Sequence, residues 1–429
     1  MDLGLTDSQD FLTYRRAPWS RSAQALGISL GTKSLVLAAL GLVLMQAGWW
    51  GLDQLFPKSA NVTPEVTIAA VSDLEMWSLW RSPAFGWPGV ASSPWVRSLG
   101  TFWPLSSIEG FQYALEMVAA PVRSLMSPFL AVFDPKSDGW GILHAALAAV
   151  WGVLVWGLLG GAIARIAVVR SAKGERIGLR SALGFALRKL LPLVGTPLCP
   201  FIAVAAFLVP CALLGLLYQV PGPAGVALAG VLMVFPLLAG LIVALMLVGL
   251  GAGWPLMVAT VAAEGEDSFD ALSRSYGYVY QRPGRYALSI VLAWFLGVIG
   301  LVVVGLFAAL TVHLATWGLA LGAPHDRLID LLSNRPFRGD RFPASAHRFW
   351  LDVVGVLARG WVYSYFWTAA ALIYLRLRLD VDGTPWNVVY QPEPPASSVP
   401  EPSPDPTVQN PTANGPNVEQ SEAQGPSVT

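Results

Sequence analysis

The side chains in this sequence best suited to metal chemistry are its four histidines, His144, His313, His325 and His347. Two carboxylates, Asp326 and Asp330, closely follow His325 in the chain. Imidazole and carboxylate ligands together bind divalent transition metals. One hypothesis is therefore a metal site built from these histidines. The alternative is that they are solvated or interfacial side chains that bind no ion.

The motifs of the common enzyme classes are absent from the sequence. It has no phosphate-binding P-loop, no G-x-G-x-x-G, no H-E-x-x-H, no C-x-x-C and no G-x-S-x-G. Its long apolar segments contain neither the paired acids of an intramembrane protease nor the mid-membrane charge that ion-coupled transport usually needs. These absences favour a non-enzymatic protein without a cofactor.

The composition indicates a membrane protein. Hydrophobic residues make up 54% of the 429 residues and charged residues only 13%, against about 25% charged residues in soluble domains. The net charge is zero, and the sequence has no basic stripe with interleaved aromatic residues. The expected partners are therefore the lipid bilayer and other membrane proteins, and not nucleic acid.

The longest charge-free segment, 190–263, contains no Asp, Glu, Lys or Arg. A bilayer core is crossed by about 20 apolar residues, so this segment can cross twice. The Pro-Gly-Pro sequence at its centre favours a tight turn and predicts a transmembrane hairpin with spans 192–220 and 223–254. Gly251, Gly253 and Pro255 are expected to bend or end the second arm.

Four further apolar segments predict spans at 34–56, 141–169, 286–318 and 350–375. A signal peptide is the alternative for the first, but the apolar stretch is too long and its cleavage context is poor. The six spans together predict an all-α polytopic membrane bundle. Arg165 and Arg359, near the ends of two spans, are expected to extend their charged groups to the membrane surface.

Three polar connections carry apolar residues at helical spacing. The pattern predicts helices at 107–133, within the Trp-rich loop 57–140, at 170–191 and at 264–285. The first should lie along the membrane face or against the bundle, and the second at the membrane interface. The other polar segments are 1–33, 319–349 and the Pro-rich tail 381–429, which is too polar to bury a core and should be disordered.

The distribution of Lys and Arg predicts the orientation of the chain. Segment 1–33 and the connections 170–191 and 264–285 hold more of these residues than the two remaining loops, which favours cytoplasmic termini in a bacterial inner membrane. The arginines of 319–349 count against this orientation. On this topology all four histidines lie at the outer side.

Two short sequences suggest an internal repeat. Ala172-Lys-Gly-Glu175 follows the second span, and Ala263-Glu-Gly-Glu266 follows the fourth. Each precedes an amphipathic stretch that leads into an outward span. This order predicts a parallel repeat about an axis along the membrane normal. The alternative is a coincidence between two short loops of similar composition.

Two stretches resemble a known class of bacterial multi-pass proteins. They are Ala263-Glu-Gly-Glu-Asp-Ser-Phe-Asp-Ala-Leu-Ser-Arg-Ser-Tyr276 and Tyr363-Ser-Tyr-Phe-Trp-Thr-Ala-Ala-Ala-Leu-Ile-Tyr-Leu-Arg376, the latter followed by Asp380-Val-Asp-Gly-Thr384. The class is similar to the membrane domain attached to some glycerophosphodiester phosphodiesterases. The resemblance implies a bacterial inner-membrane protein. No phosphodiesterase domain is present, so it implies no catalytic residue.

The sequence leaves three functions open. The leading hypothesis is a non-enzymatic scaffold or an accessory subunit of a membrane assembly. The first alternative is a small-molecule or lipid transporter, since the Gly and Pro residues of the spans are compatible with broken helices. The second is a membrane enzyme that uses the outer-side histidines.

Overall fold

The computed structural model describes residues 18–56, 108–133, 137–322 and 342–391, and α-helices dominate these ranges. They are α1 (Pro18–Ser29), α2 (Thr32–Leu55), α3 (Ile108–Ala131), α4 (Gly139–Lys173), α5 (Leu179–Arg188), α6 (Leu190–Gly215), α7 (Pro223–Leu232), α8 (Val234–Glu264), α9 (Ser268–Gln281), α10 (Pro283–Gly322) and α11 (Phe342–Asp382). A short 3-10 helix, Leu216–Gln219, extends α6. The described part of the chain contains no strand, which confirms the expected all-α class.

Five helices are long and apolar enough to cross a membrane: α2, α4, α6 with its 3-10 extension, α8 and α10. The expectation of a multi-pass membrane protein is confirmed at this level. α11 is as long as these helices, with 41 residues, but it does not reach the same hydropathy.

Helix α11 has the lower hydropathy because it lies inside the bundle. It packs against α1, α2, α4, α8 and α10, and Trp361, Trp367, Tyr374 and Arg378 are among its fully buried side chains. A helix that faces other helices can carry aromatic and polar groups, whereas a lipid-facing helix cannot do so cheaply. The composition of α11 therefore reflects contact with protein.

Glycines on the surrounding helices make room for these large rings. A Cβ at Gly160 of α4 would lie 2.5 Å from the Trp367 ring, and one at Gly300 of α10 would lie 2.4 Å from the Trp361 ring. Real Cβ atoms do not approach so closely, so the missing side chain permits the contact. Small residues have this role in many membrane bundles.

Six helices meet at one end of the bundle, which we call the Glu264 end. There the Lys33 ammonium of α2 donates to the Ile177 carbonyl beyond α4, at 2.8 Å. The Arg285 guanidinium of α10 lies 3.4 Å from Asp380 of α11. Lys189, before α6, donates to Gly265, after α8, at 2.5 Å. Thus α2, α6 and α10 begin at this end, and α4, α8 and α11 finish there.

The second arm of the predicted hairpin consists of two helices, α7 and α8, and not of one. It breaks at Met233, between α7 and α8, and α8 then continues to Glu264. The helix therefore does not end near Gly251, Gly253 and Pro255, and the span boundary at residue 254 stays a prediction. Gly249 is a packing position instead, because a Cβ there would lie 2.2 Å from the Tyr276 ring.

Helix α3 runs across the bundle. Its Phe129 ring lies 5.5 Å from Trp254 of α8, which is about 15 Å along that helix from Glu264. A Cβ at Gly297 of α10 would lie 2.9 Å from Val118 of α3. Gly297 lies about 21 Å along α10 from the first residue of α10. Since both levels are similar, α3 crosses the bundle axis at a depth that a hydrocarbon core of about 30 Å would include. The expectation that it packs against the bundle is confirmed.

The two short amphipathic helices place small and large side chains against the bundle. In α5 the buried residues are Ala182, Phe185 and Ala186, while Leu187 is 58% exposed. In α9 Ala271 and Ser275 are buried, whereas Phe269 is 73% exposed. Small residues allow these helices to approach the bundle closely, and part of each apolar stripe points away from it.

The tail was expected to be disordered from residue 381, which is wrong for its first ten residues. α11 continues to Asp382, and Trp386 is buried. The backbone N–H of Tyr390 donates to the Ala263 carbonyl at 2.8 Å. We call residues 383–390 the C-terminal strap. Residues 392–429, to which the rest of that prediction applies, lie outside the described residues.

The two sequences of the suggested repeat end their helices in the same way. Gly174 after α4 and Gly265 after α8 both adopt left-handed backbone conformations, with φ of 72° and 65°, as glycine commonly does at helix C-termini. Each is followed by a helix, α5 or α9. The rotation of about 180° that a parallel repeat requires remains a prediction.

A substitution at the α4–α11 contact tests this packing. We expect Gly160→Ala to lower stability by about 1–3 kcal/mol, because the added methyl group overlaps the Trp367 ring. The matched control is Gly240→Ala in α8, where a Cβ would meet no neighbour. Thermal unfolding in detergent should separate the two variants, and equal melting temperatures would contradict the close contact.

Candidate functional site

A cluster of charged and polar side chains surrounds Glu264, the last residue of α8. Its Oε1 accepts hydrogen bonds from the Tyr374 hydroxyl at 2.5 Å and from the Arg378 guanidinium at 3.4 Å. Its Oε2 accepts one from Arg274 at 2.5 Å. Arg378 is 1% exposed, so this is a charge pair largely removed from water.

Glu266 extends the cluster. Its Oε1 lies 2.6 Å from the Arg274 guanidinium, while its Oε2 is buried and has no hydrogen-bond partner among the described residues. Burial and then the negative charge of Glu264 raise the pKa of Glu266 to about 7, against the opposing effect of Arg274. This carboxyl group therefore changes its protonation near neutral pH.

Three other segments supply hydrogen-bond donors to the carbonyl groups at the C-terminal end of α8. The last carbonyl groups of a helix have no partner within the helix. Here Arg165 donates to Ala262 at 2.9 Å, the Tyr390 N–H donates to Ala263, and Lys189 donates to Gly265. The positive charges also complement the negative end of the helix dipole.

Arg165 was expected to extend to the membrane surface, and this is wrong. It is 6% exposed. Besides its bond to α8, it donates to the Tyr390 carbonyl at 2.6 Å and lies 4.6 Å from the centre of the Phe185 ring. The guanidinium thus connects α4, α5, α8 and the C-terminal strap.

The strap is held mainly by Arg378. Its guanidinium donates to the carbonyls of Pro385 and Val388, at 2.9 and 2.8 Å. The Tyr278 hydroxyl of α9 donates to the carboxylate of Asp382, where α11 ends. Because the acidic groups of this cluster are paired with cations or tyrosines, the arrangement suits a structural connection better than a nucleophile.

The histidines proposed as metal ligands are partly described. His144 of α4 lies 3.1 Å from Asp53 of α2, and its ring packs 5.4 Å from that of Phe56. His313 lies on α10, His325 falls outside the described residues, and His347 lies in the first turns of α11. Within the described ranges no three His, Cys, Asp or Glu side chains are grouped to hold a metal ion. The four-histidine site stays a prediction.

An apolar cavity opens between α8 and α10. Its volume is about 290 Å³, and α3 and α11 supply its other walls. The Tyr286 hydroxyl, which donates to the Ala252 carbonyl, connects α10 to α8 here. Elsewhere these two helices pack on α11 far more than on each other.

The wall of this cavity offers little polar recognition. Its tyrosines use their hydroxyl groups on backbone carbonyls, Tyr286 on Ala252 and Tyr365 on Ala293. Arg123 of α3 is the charged residue of the lining. The remaining lining is formed by small, aliphatic and aromatic side chains, which suits a hydrocarbon ligand.

Comparisons with known proteins add no family to this description. No family model, curated protein or solved structure matches the chain.

The sequence did not identify the cavity. Its walls depend on glycine and alanine positions such as Gly251, Ala293, Ala369 and Ala370, which also occur throughout packed membrane helices. The Glu264 cluster had a clearer signal, because Tyr374 and Arg378 lie one turn apart on the same helix. This spacing indicates two polar side chains on one face near the end of α11, but it does not show that they bind Glu264 of α8.

The pKa of Glu266 leads to a prediction about pH. Its folded pKa of about 7 exceeds the ordinary value of 4.5, so the folded state binds more protons in this window. Stability should therefore fall as pH rises from about 5 to 7, and Glu266→Gln should flatten this dependence. The control is Glu175→Gln, at the equivalent exposed position after α4. Melting temperatures across this range test the prediction, and identical slopes for wild type and Glu266→Gln would contradict it.

Proposed function

We propose that the protein is a non-enzymatic, multi-pass protein of a bacterial inner membrane that binds the acyl chain of a membrane lipid. The observation that carries the proposal is the apolar cavity of about 290 Å³ between α8 and α10. A protein that moves or presents lipids needs such a space. The proposal narrows the transporter hypothesis to a lipid-like ligand and requires no cofactor.

The position of the cavity favours membrane lipid as the source of the ligand. Its lining on α8, including Gly251 and Leu256, lies about 12–20 Å along the helix from Glu264. This level falls within the thickness of a hydrocarbon core. A chain could therefore enter sideways from the bilayer, between the two helices that scarcely touch.

Arg123 supports an amphiphile with an anionic head group. It lies on the exposed side of α3 and donates to the Glu116 carbonyl at 2.7 Å, yet it also contributes to the cavity lining. Guanidinium groups bind phosphate and carboxylate by paired hydrogen bonds. We propose that Arg123 contacts the head group of the lipid whose chain occupies the cavity.

We further propose six spans with both termini in the cytoplasm, with α11 as the sixth. The alternating directions of the six long helices support this number. Their basic residues also favour the Glu264 end as the cytoplasmic one, since Lys33, Lys189 and Arg285 lie there. The resemblance to the membrane domain of some glycerophosphodiester phosphodiesterases stays a prediction.

A scaffold or accessory subunit is the second candidate, and the exposed hairpin favours it. Only 6% of the apolar window of α6 is buried, the least among the five candidate spans. Ile202, Leu213 and Leu241 present large apolar surfaces, which lipid or another membrane protein could cover. Lipid transfer by purified protein in vesicles would separate the two functions, because a pure scaffold transfers nothing.

A filled cavity should abolish lipid binding. We expect Ala293→Phe to reduce crosslinking of a photoreactive phospholipid at least tenfold, because the ring occupies the space of the chain. The control is Ala244→Phe, at an exposed position of α8. Mass spectrometry of the crosslinked peptides gives the site. Equal labelling of both variants, or labelling confined to the exposed hairpin, would contradict the proposed site.

Cysteine labelling tests the topology. In a background with Cys199→Ala and Cys211→Ala, an impermeant thiol reagent should label Ser137→Cys on intact cells. Ser181→Cys and Asn387→Cys should react only after the membrane is opened. Labelling of Ser181→Cys on intact cells would reverse the orientation. If Asn387→Cys is labelled on intact cells as Ser137→Cys is, while Ser181→Cys is not, α11 does not cross the membrane.

A further inference from the structure

The segment that joins two of the candidate spans is strongly basic. α4 ends at Lys173 and α6 begins at Leu190, with α5 between them. Residues 170–189 hold six basic residues and a single acid, an excess of five positive charges. The basic residues are Arg170, Lys173, Arg176, Arg180, Arg188 and Lys189, and the acid is Glu175. Such a concentration of like charge attracts anions.

The packing of α5 turns one of its faces away from the bundle. Its buried residues all lie on one side of the helix and are Ala182, Phe185 and Ala186. The Phe185 ring contacts the Arg165 guanidinium, 4.6 Å from the ring centre, which fixes the rotation of the helix. At 3.6 residues per turn, Arg180, Leu187 and Arg188 lie on the opposite side, and all three are exposed. We call these three residues the basic face.

The basic face has no counter-charge within the described ranges. Neither Arg180 nor Arg188 forms an ion pair there. By contrast, Arg274, Arg285 and Arg378, at the same end of the bundle, all pair with carboxylates. These cations of α9, α10 and α11 are thus neutralised by the chain itself, whereas those of α5 face the surroundings.

The position of α5 places the basic face at the level of lipid head groups. α6 is a candidate span that begins directly after α5, and α4 is another that ends shortly before it. Lys33, near the start of a third candidate span, donates to the Ile177 carbonyl at 2.8 Å. Three candidate spans therefore have an end beside this segment, so α5 lies where the chain enters or leaves the hydrocarbon core.

Exposed leucines accompany the arginines. Leu187 is 58% exposed, and Leu191, at the beginning of α6, is 81% exposed. Basic side chains beside large apolar ones are typical of helices in the membrane interface, where the cations reach phosphate and the apolar groups enter the hydrocarbon. The basic face therefore suits a partner that offers both an anion and hydrocarbon.

We propose that the basic face binds the phosphate groups of anionic phospholipids in the surrounding bilayer. Guanidinium groups bind phosphate through paired hydrogen bonds, and basic residues beside a span attract anionic head groups. Leu187 and Leu191 contact the acyl chains of the same lipids. This surface is separate from the lipid cavity, because no residue of α5 lines that cavity, and it can bind lipid whichever end of the bundle is cytoplasmic.

The acidic tail is the competing occupant. Segment 391–429 contains five acids and no Lys or Arg. It also contains no Leu, Ile, Met or aromatic residue, so it offers no large apolar side chain to Leu187 and Leu191. A phospholipid offers both phosphate and hydrocarbon, which favours lipid as the partner of this face.

Lipid crosslinking to the purified full chain tests this assignment. The protein is reconstituted in phosphatidylcholine vesicles that contain either photoreactive phosphatidylglycerol or photoreactive phosphatidylcholine at the same low mole fraction. We expect phosphatidylglycerol to label residues 176–191 about tenfold more at low salt, because each basic residue near the surface strengthens the attraction about fivefold. Labelling of α7, which has no charged residue, should show no preference. Equal labelling of 176–191 by the two lipids would overturn the proposal.

Charge variants locate the site. The double change Arg180→Gln and Arg188→Gln should lower the preference for phosphatidylglycerol by a factor of about five or more, because it removes both charges. The matched control, Arg180→Lys with Arg188→Lys, retains both charges and should keep the preference within about twofold. Salt at about 1 M should also remove most of the preference of wild type, since the Debye length falls to about 3 Å. A preference unchanged by the loss of both arginines, or by this salt, would overturn the assignment.

A tail variant separates the two occupants. In the full chain, all five tail acids are changed to amides: Glu393→Gln, Glu401→Gln, Asp405→Asn, Glu419→Gln and Glu422→Gln. A preference of wild type that is retained in this variant supports lipid as the occupant, whereas a preference that appears only in the variant would overturn the proposal in favour of the tail. Ala293→Phe should leave the preference unchanged, so failure of the lipid cavity is distinguishable from failure of this surface.

Discussion

The architecture depends on the need to satisfy the C-terminal end of α8 away from water. That end presents unpaired carbonyl groups and the Glu264 carboxylate, and its donors come from distant parts of the chain: Arg165 on α4, Lys189 before α6, and Tyr374 and Arg378 on α11. Removal of one partner from such a buried pair leaves an uncompensated charge and costs several kcal/mol. The relative positions of α4, α6, α8 and α11 are therefore fixed at one point, and the strap follows because Arg378 also binds its carbonyls.

The long helices could be predicted because their existence depends on composition alone, and the runs without charge identify them. Their contacting faces could not be predicted in the same way. In a membrane, a leucine can face lipid as favourably as it faces another helix, so apolar spacing does not distinguish the two. Leu187 and Phe269 illustrate this, since both belong to apolar stripes and both point away from the bundle. The faces that pack are marked by small residues such as Ala182 and Ala271, which are too common to serve as a signal.

The interior sites were harder to predict for a related reason. The apolar cavity exists because α3 lies between the spans and forms one of its walls, and the amphipathic pattern of α3 suits a surface helix equally well. Contacts with residues far away in sequence, such as the hydrogen bond between Ser124 and Tyr363, place α3 at that depth. The sequence also assigned Arg359 to the membrane surface, whereas its side chain lines a small space between α2, α3, α4 and α11, together with Trp156 and Tyr363. The length of a side chain does not show the direction in which its helix faces. The histidines were the more conspicuous residues in the sequence, and among the described residues His144 pairs with Asp53.

The burial of α11 has a consequence for biosynthesis. Its tryptophans, tyrosines and arginines make it a poor candidate for independent partitioning from a translocon into lipid. It is also the last helix of the described chain to leave the ribosome, after α2, α4, α8 and α10 have been made. An unfilled groove lined by Gly160 and Gly300 would by then be available to receive Trp367 and Trp361. Membrane entry of α11 would thus depend on the helices made before it, and the nascent bundle would have to keep this groove open until α11 arrived.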